Sequence, residues 1–262
     1  MSIYSKIIDI QKLRNAWDKV KKNKPACGAD SVSYEDFENN LMQELKQLHI
    51  ELAEHRYEVF PVKLVKIKRE EKVREVSLYT MRDKTVQASI ANELMKVYEN
   101  SFSSCTYAYR NDLSAMSAIE KIEEAVLKGG YHFVCKTDIK SFFDNISLEI
   151  LQRQLGLRIK ENDVIELIMS TLRTPSVNAY GDLTEKSVGI YQGSGISPIL
   201  SNIYMIEFDK KMQQEDVFFV RYADDLIIMV GSRQAADRVM KSVTRFIEEK
   251  LGLKVNAEKS RV

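Results

Sequence analysis

Apolar residues recur along the chain with two spacings, which predict where helices and strands form. Apolar residues three or four positions apart, typical of amphipathic helices, occupy residues 7–20, 33–52, 82–99, 114–128, 148–173 and 232–250. Alternating or continuous apolar runs, typical of strands, occupy residues 62–68, 72–78, 132–138 and 217–230. Helices and strands are interspersed, which predicts a mixed α/β (α+β) fold.

The central feature of this pattern is a pair of adjacent acids, Asp224 and Asp225, between the two apolar runs of residues 217–230. Two buried antiparallel strands joined by a tight turn fit this pattern, and the acids then lie at the turn. Neighbouring carboxylates repel each other and resist desolvation, so a cation beside them is expected, and a divalent metal is the simplest one. The alternative is an ordinary hairpin in which the aspartates serve only as turn formers.

A third acid, Asp138, ends the apolar strand predicted at residues 132–138. If this strand pairs beside the hairpin, Asp138 and Asp224 meet at one point. Carboxylates placed in this way can bind two divalent ions, an arrangement used for in-line phosphoryl transfer. Asp144, close to the next predicted helix, is interpreted as a structural acid.

Two further segments carry groups that suit phosphate binding. The hairpin predicted at residues 62–78 presents Lys63, Lys66 or Lys68, and Arg74 on one face. These cations could clamp phosphates, or they could simply protect an edge strand from aggregation. The Gly-rich loop at residues 189–197 leads into an apolar helix, so its backbone N–H groups favour a phosphate or the close approach of another backbone.

Composition and charge narrow the class of partner. The 262 residues are 44% hydrophobic, enough for a substantial core, and the 29% that are charged leave a net charge of only +1. A uniformly basic nucleic-acid coat is therefore excluded, and any basic surface must be local. Cys27, Cys105 and Cys135 lie far apart, which favours a reducing compartment over a disulfide framework. The apolar runs are too short for a membrane span, so we predict a cytoplasmic protein without membrane contact.

Three ordered motifs resemble a reverse transcriptase of the bacterial group II intron type, and the likeness covers nearly the whole chain. They are the Tyr-x-Asp-Asp hairpin at residues 222–225, the Asp-x-x-x-Phe-Phe-Asp run at residues 138–144, and the Gln-Gly loop with Ser-Pro at residues 192–198. The resemblance implies a right-hand polymerase with fingers and palm, an antiparallel palm sheet with packed helices, and no thumb. The expected fingers segments are residues 1–82 and 148–190, and the expected palm segments are residues 83–147 and 191–262.

The resemblance also implies an activity and the residues that perform it. The activity is RNA-directed DNA polymerisation, in which a primer 3′-hydroxyl attacks a deoxynucleoside triphosphate with two Mg²⁺ ions, or Mn²⁺ in their place. The implied catalytic residues are Asp138, Asp224, Asp225 and Lys259, and the implied metal ligands are Asp138, the Ile139 carbonyl, Asp224 and Asp225. The implied nucleotide-binding residues are Lys68, Arg74, Ile139, Gln192, and Phe143 as the gate against a ribose 2′-hydroxyl. The implied template-binding residues are Arg110, Gly193, Pro198 and Asn202.

Some positions depart from the pattern of the intron enzymes. Tyr191 stands where those enzymes usually have Pro, and Ala108 and Asn111 replace the expected Gly and Pro. These departures favour a diverged relative over a group II intron mobility enzyme. A CRISPR-associated enzyme fused to the spacer integrase and a phage-defence enzyme are both relatives of this kind.

The resemblance finally implies partners outside the chain. They are an RNA template, a DNA or RNA primer and deoxynucleoside triphosphates, together with a thumb and a further fused domain, such as a CRISPR integrase, beyond Val262. Two alternatives belong to other classes of protein. A catalytically silent template-binding module would retain the palm and fingers, whereas a palm-type nucleotidyl cyclase would need a Gly-Gly-Asp/Glu-Glu-Phe hairpin that the sequence lacks.

Overall fold

The structure is a computed structural model that describes residues 2–69, 72–178, 180–215 and 217–262, apart from the side chains of Arg69, Lys72 and Arg74. The chain divides into two units, each discontinuous in sequence. Unit 1 contains Met1–Val97 and Gln152–Ile199, and unit 2 contains Tyr98–Leu151 and Leu200–Val262. The units therefore change after residues 97, 151 and 199, whereas the sequence placed the boundaries after residues 82, 147 and 190.

Helices and strands alternate along the described part of the chain. Its α-helices are α1 (Ile3–Ile8), α2 (Ile10–Val20), α3 (Tyr34–Asn39), α4 (Leu41–Ala53), α5 (Met81–Tyr98), α6 (Ala115–Lys128), α7 (Phe142–Asn145), α8 (Leu148–Arg158), α9 (Asn162–Arg173), α10 (Ser197–Tyr204), α11 (Ile206–Gln214) and α12 (Arg233–Glu249). Its strands are β1 (Val62–Arg69), β2 (Lys72–Leu78), β3 (Phe133–Thr137), β4 (Ser176–Val177), β5 (Leu183–Thr184), β6 (Phe218–Tyr222) and β7 (Asp225–Val230). The predicted mixed α/β fold is confirmed.

Two predicted helices differ in the structure. The segment predicted as a single helix over residues 33–52 consists of α3 and α4, which meet at Asn40. The segment predicted as a single helix over residues 7–20 consists of α1 and α2, which meet at Asp9. Asp9 has a non-helical ψ of 131°, and its carboxylate accepts a hydrogen bond from the Lys12 N–H at 3.0 Å, so it caps the start of α2. The apolar spacing continues across Asp9, and the pattern alone therefore predicted one helix.

Unit 1 has a largely helical core. Ser33 and Asp36 form a capping box at the start of α3, and the apolar stripe of α4 is buried at Leu45, Leu48 and Leu52. The rings of Trp17 and Phe37 pack with their centroids 4.6 Å apart. Burial of these large apolar side chains is the main term that stabilises this part of the fold.

The described strands of unit 1 form a sheet in the order β2-β1-β4-β5. The predicted hairpin of β1 and β2 is confirmed, with an antiparallel register that runs from Lys63 opposite Leu78 to Arg69 opposite Lys72. The short strand β4 extends the sheet in parallel with β1. The hairpin therefore carries the exposed Lys66 and Lys68 of β1 on a sheet whose described edges are β2 and β5.

The described strands of unit 2 form an antiparallel sheet in the order β3-β7-β6. Val220 of β6 packs with Tyr107 and with Ala118 of α6 on one face. Cys135 of β3 donates its Sγ–H to the carbonyl of Ala236 in α12, on the other face. Elements that include α6 and α12 thus cover the two faces of the sheet, and the polar side chains of Asp138, Asp224 and Asp225 lie at the ends of its strands.

No helix among the described residues combines the length and apolar character needed to cross a membrane.

Candidate active site

The hairpin of β6 and β7 presents the two adjacent acids at its tip. Tyr222 pairs with Asp225, so Ala223 and Asp224 form a two-residue connection between the strands. Ala223 has a φ of 55°, in the left-handed region that residues with a Cβ rarely adopt. Tight reversal of the chain at this point projects the Asp224 side chain from the end of the sheet.

Strand β3 brings Asp138 to the same end of the sheet. Thr137 pairs with Leu226, so continuation of this register places Asp138 beside Asp225. The predicted pairing of this strand with the 217–230 hairpin is confirmed. The strand order β3-β7-β6 therefore gathers acids that are far apart in sequence at one edge.

The C-terminal segment holds Asp138 from its other side. The Asn256 side chain donates a hydrogen bond to Asp138 Oδ2 at 2.9 Å, and the Asp138 N–H donates to Ser260 Oγ at 3.2 Å. Lys259 Nζ lies 3.5 Å from Asp138 Oδ2 while its own side chain is 61% exposed. The ammonium of Lys259 is therefore a solvent-exposed cation beside a largely buried carboxylate.

Electrostatics bring Asp224 into the same group. Burial raises the pKa of Asp224 above its usual value, the negative charges of Asp225 and Asp138 raise it further, and Lys259 acts in the opposite direction. Asp224 also contributes, after burial, to a raised pKa of Tyr109. The ionised form of Asp224 thus lacks sufficient positive charge around it, and a bound cation would supply that charge.

The donor set around Asp138 and Asp224 fits a hard divalent cation. Carboxylate and carbonyl oxygens are the ligands that Mg²⁺ and Mn²⁺ accept. The Asp138 carbonyl accepts from Asn256 N–H and the Lys140 N–H donates to the Lys254 carbonyl, both at 2.8 Å. Ile139 and Val255 form the antiparallel bridge between these two bonds as its non-hydrogen-bonded pair, so the Ile139 carbonyl points away from the C-terminal segment.

Asp225 lies in a different environment from Asp224. Its side chain is 59% exposed, and its Oδ1 lies 4.0 Å from Lys136 Nζ. In the described part of the chain, no group of three or more His, Cys, Asp or Glu side chains is arranged to hold a metal ion. The structure thus joins Asp138 and Asp224 electrostatically but does not gather all three predicted acids into one ligand set.

Phe143 lies close to these acids in sequence, on the short helix α7 that follows Asp138 by way of Ser141. Ser141 has a φ of 46°, which turns the chain sharply after β3. Phe143 is half-buried, and its ring contacts that of the buried Phe142 with centroids 5.4 Å apart. Phe142 thus anchors the helix in the core and Phe143 is presented at the surface.

Two residues predicted to bind template are engaged inside unit 2. Asn202 is fully buried, and its amide donates to the Ala108 carbonyl at 2.8 Å. The guanidinium of Arg110 donates to Glu99 Oε1 at 2.7 Å and to the carbonyls of Ser103 and Thr106. These contacts make both side chains parts of the framework beneath the site.

Sequence reasoning missed a buried ion pair under the hairpin. Arg221 of β6 and Asp209 of α11 are each 1% exposed, and the two are joined by two hydrogen bonds of 2.7 Å and 2.6 Å. A charged residue within an otherwise apolar strand was the available signal, because a buried charge requires a partner. The pattern alone could not identify that partner.

The remaining predicted residues belong to unit 1. Lys68 is exposed on β1, whereas the side chain of Arg74 lies outside the described residues. The carbonyl of Gln192, whose side chain is exposed, accepts from the Ser77 N–H at 2.9 Å and from its hydroxyl at 2.6 Å. A hydrogen-bonded segment thus joins the Gly-rich loop to the end of β2.

Backbone geometry explains the glycine that follows Gln192. Gly193 has a φ of 97°, and a Cβ at this position would lie 3.0 Å from the Ser77 carbonyl oxygen. Gln87 of α5 supports the next turn, since its Oε1 accepts from Ser194 Oγ and from the Gly195 N–H, both at 2.9 Å. Pro198 is partly exposed in the first turn of α10.

Comparison with known proteins finds relatives among intron proteins. The chain is 25% identical to the Putative COX1/OXI3 intron 2 protein of Saccharomyces cerevisiae, over 96% of this chain and 36% of that protein. It is 28% identical to the Group II intron-encoded protein LtrA of Lactococcus lactis subsp. cremoris, over 71% of this chain and 31% of that protein. The chain therefore spans about a third of the length of these two relatives.

Solved structures share the fold at lower identity. The structure of telomerase from Candida albicans with a TWJ fragment of telomeric RNA matches with a TM-score of 0.61 at 16% identity, over 80% of this chain and 44% of that chain. A partial Cas6-RT-Cas1–Cas2 complex matches with a TM-score of 0.55 at 23% identity, over 95% of this chain and 43% of that chain. Both likenesses support a polymerase fold built from fingers and palm.

The decisive comparison is with a protein family. The family described as reverse transcriptase (RNA-dependent DNA polymerase) matches residues 66–262, which include both acidic strand ends and the Gly-rich loop. The chain belongs to the reverse transcriptase family.

Proposed function

We propose that this chain supplies the fingers and palm of an RNA-directed DNA polymerase, with unit 1 as fingers and unit 2 as palm. The observation that carries the proposal is the convergence of Asp138 with the Asp224 hairpin at one end of the β3-β7-β6 sheet. The raised pKa of Asp224, caused first by burial and then by the charges of Asp225 and Asp138, supports a cation at this position. A palm that served only to bind a template would gain nothing from acids next to a phosphate backbone.

Reverse transcriptases use divalent metal ions, and we assign them here to Mg²⁺. Asp138, Asp224 and the Ile139 carbonyl would hold the ions, with Asp225 as the exposed neighbour at the edge of the site. When bound, two such ions stabilise the attacking and leaving oxygens of an in-line displacement. Asn256 and Ser260 keep Asp138 oriented for this purpose.

Other side chains position the substrates. Lys68 and Arg74 on the β1–β2 hairpin would neutralise the triphosphate, where charge stabilisation supplies most of the catalysis. Phe143 would exclude a ribose 2′-hydroxyl. Lys259, beside Asp138, would donate a proton to the departing pyrophosphate after the primer 3′-hydroxyl has attacked the α-phosphate.

The template is RNA and the primer DNA or RNA in this proposal, and Gln192, Gly193 and Pro198 lie against the incoming base and template. Relatives that are longer than this chain support a thumb and a further fused domain as part of the natural polypeptide. The likeness to a Cas6-RT-Cas1–Cas2 complex supports a role in CRISPR spacer acquisition or another phage-defence system, in the cytoplasm. The intron-encoded relative LtrA keeps intron mobility as the second candidate.

The experiment is primer extension on an RNA template by the full-length protein and its Asp224→Ala variant. We expect the variant to lose at least about a thousandfold in rate, as enzymes do when a central catalytic group is removed, while its circular dichroism and melting temperature stay close to those of the wild type. Asp237→Ala is the matched control, because this acid is exposed and pairs only with the exposed Arg233 of its own helix in the described contacts. It should retain full activity.

Two outcomes would contradict the proposal. Extension that depends on Mg²⁺ and persists in Asp224→Ala would remove Asp224 from the metal site. A wild-type protein that binds the template–primer duplex but incorporates no nucleotide would instead be the silent template-binding module.

A further inference from the structure

The side chain of Arg221 is buried in unit 2, where the metal-site proposal gives it no role. Removing a guanidinium from water is costly unless each of its donors finds an acceptor. Asp209 satisfies one edge through Nε and Nη2, at 2.7 Å and 2.6 Å. Asp209 is itself held by a 2.8 Å hydrogen bond from Thr106 Oγ1. The pair is therefore fixed by the surrounding core and cannot rearrange freely.

The second edge of the guanidinium faces the catalytic hairpin. Arg221 Nη1 donates to the Ala223 carbonyl at 3.0 Å and to Asn202 Oδ1 at 3.1 Å. Asn202 is in turn held by the hydrogen bond that its amide N–H donates to the Ala108 carbonyl. Arg221 thus joins α10, α11 and the hairpin turn through a single rigid, planar group.

The bond to Ala223 acts directly on the residue that carries the acid. The carbonyl of Ala223 and the N–H of Asp224 belong to one planar peptide group, so fixing the carbonyl also fixes the start of Asp224. Ala223 holds a left-handed φ of 55°, which a residue with a Cβ adopts only when its surroundings require it. A charge-assisted hydrogen bond from the buried guanidinium supplies such a requirement.

The backbone of Arg221 is held as firmly as its side chain. Its N–H donates to the Cys105 carbonyl at 2.8 Å, and its carbonyl accepts from the Tyr107 N–H at 3.0 Å. These bonds attach the end of β6 at Arg221 to residues 105–107, on the side of the strand opposite β7. The strand end cannot shift without breaking them, so the guanidinium has a fixed point from which to act.

We propose that Arg221 is a positioning residue, which with Asp209 as its counter-ion sets the peptide between Ala223 and Asp224 and so directs the Asp224 carboxylate toward a divalent cation. The inference rests on the proposed function, because it assigns Asp224 to the metal site. It differs from a purely structural role in one respect. Loss of Arg221 should weaken metal binding even in a variant in which other substitutions restore the stability of the fold.

The first test is Arg221→Lys in the full-length protein. A lysine keeps the charge, but its single ammonium cannot hold Asp209 through two bonds and also reach the Ala223 carbonyl. We expect kcat to fall by about 100-fold, as for a displaced catalytic group, with little change in the KM for the nucleotide. Affinity for Mn²⁺ alone, measured by electron paramagnetic resonance without nucleic acid, should weaken about 10-fold or more, as when the support of a metal ligand is removed.

The second test separates positioning from stability. Replacing both charges with apolar residues, Arg221→Met with Asp209→Leu, removes the cost of burying charge and is often neutral or stabilising. We expect this double variant to unfold at a temperature close to that of the wild type and still to show the losses in kcat and Mn²⁺ affinity. Recovery of both quantities together with stability would overturn the positioning role. The double variant also answers the question if Arg221→Lys fails to fold.

A control and a second readout keep this inference separate from the proposed function. Lys211 lies on α11, the helix of Asp209, and forms an ion pair with Glu215 just after the helix ends. Lys211→Ala breaks this ion pair, so it should change stability without changing Mn²⁺ affinity. If wild-type protein binds Mn²⁺ through Asp224 and Arg221→Lys weakens this binding, positioning stands even where no primer is extended. If the wild type extends primers and Arg221→Lys matches it in kcat and Mn²⁺ affinity, positioning fails while the polymerase proposal stands.

Discussion

Asp224 and Asp225 are adjacent and chemically identical, yet the fold gives them different properties. Asp224 lies in the turn, where burial raises its pKa, whereas Asp225 begins β7 and is 59% exposed near Lys136. The sequence supports the presence of acids at the tip of a hairpin but not this division, because the burial of each carboxylate depends on how other segments pack around the turn. We infer that Asp224 contributes more to metal binding than Asp225.

Phe143 offers a prediction at the scale of one side chain. Phe143→Ala would remove the half-buried ring that is proposed to exclude a 2′-hydroxyl, while Phe142 still anchors α7. We expect the preference for deoxynucleotides over ribonucleotides, as the ratio of their kcat/KM values, to fall by about 10-fold or more, since steric exclusion is a differential effect on two substrates. Single-nucleotide incorporation with each substrate measures this ratio, and an unchanged ratio would remove the gate role.

The partners of buried polar residues could not be predicted from the sequence. The resemblance predicts that Asn202 contacts the template. In the structure its amide donates a hydrogen bond to the Ala108 carbonyl and accepts one from Arg221. Arg221 is visible in the sequence as a charge in an apolar strand, yet Asp209 is separated from it by the end of α11 and a turn. A spacing rule does not reveal a contact that depends on how a helix packs against a sheet.

At the scale of elements, long periodic segments were predictable and short ones were not. The hairpin of β1 and β2 and the helix α12 followed from apolar spacing over many residues. The break between α1 and α2 depends on one cap at Asp9, and α7 is only 4 residues long. From the sequence alone, the pairing of β3 with β7 could be stated only as a condition, because residues 138–224 separate the two strands.

The start of α5 yields a prediction about pH. The carboxylate of Asp83 is buried and accepts hydrogen bonds from the hydroxyls of Tyr57 and Thr80. Burial is the largest cause of its raised pKa, which the hydrogen bonds only partly offset. The folded chain therefore binds this proton more tightly than the unfolded chain does.

As the pH rises from the ordinary Asp pKa through the higher pKa of folded Asp83, the free energy of unfolding should fall relative to that of Asp83→Asn, which does not titrate. The slope of this difference is at most about 1.4 kcal/mol per pH unit for one proton. Urea unfolding of both proteins from about pH 4 to about pH 8 measures it. Asp237→Asn keeps Asp83 and should follow the wild type; a difference that rises with pH would contradict the direction of the shift.

At the scale of the whole molecule, the chain has a net charge of +1, so its affinity for nucleic acid must come from local groups. One group of basic residues lies along the edge of β3 that pairs with the C-terminal segment. The Lys140 N–H bonds to the Lys254 carbonyl, and both side chains are exposed. Lys136 and Arg261 pair further along the same edge.

We expect the double variant Lys140→Ala with Lys254→Ala to bind an RNA–DNA duplex more weakly, whatever its sequence. The slope of log K against log salt should shrink by up to about two, near one for each lost phosphate contact. Fluorescence anisotropy titrations at several salt concentrations measure this slope. Lys241→Ala with Arg245→Ala makes the same change in net charge on α12 and should leave the slope unchanged; equal slopes in all three proteins would show that this edge does not touch phosphate.

The discontinuity of the units has a consequence for biosynthesis. Strand β3 has its ladder partner in β7, so while the chain emerges from the ribosome this apolar strand stays unpaired until translation has reached the end of β7 at Val230. During that interval its unpaired backbone is open to contact with other nascent chains. Slow translation across this stretch would lengthen that exposure, and soluble yield in the cell would then depend on codon usage and chaperone supply.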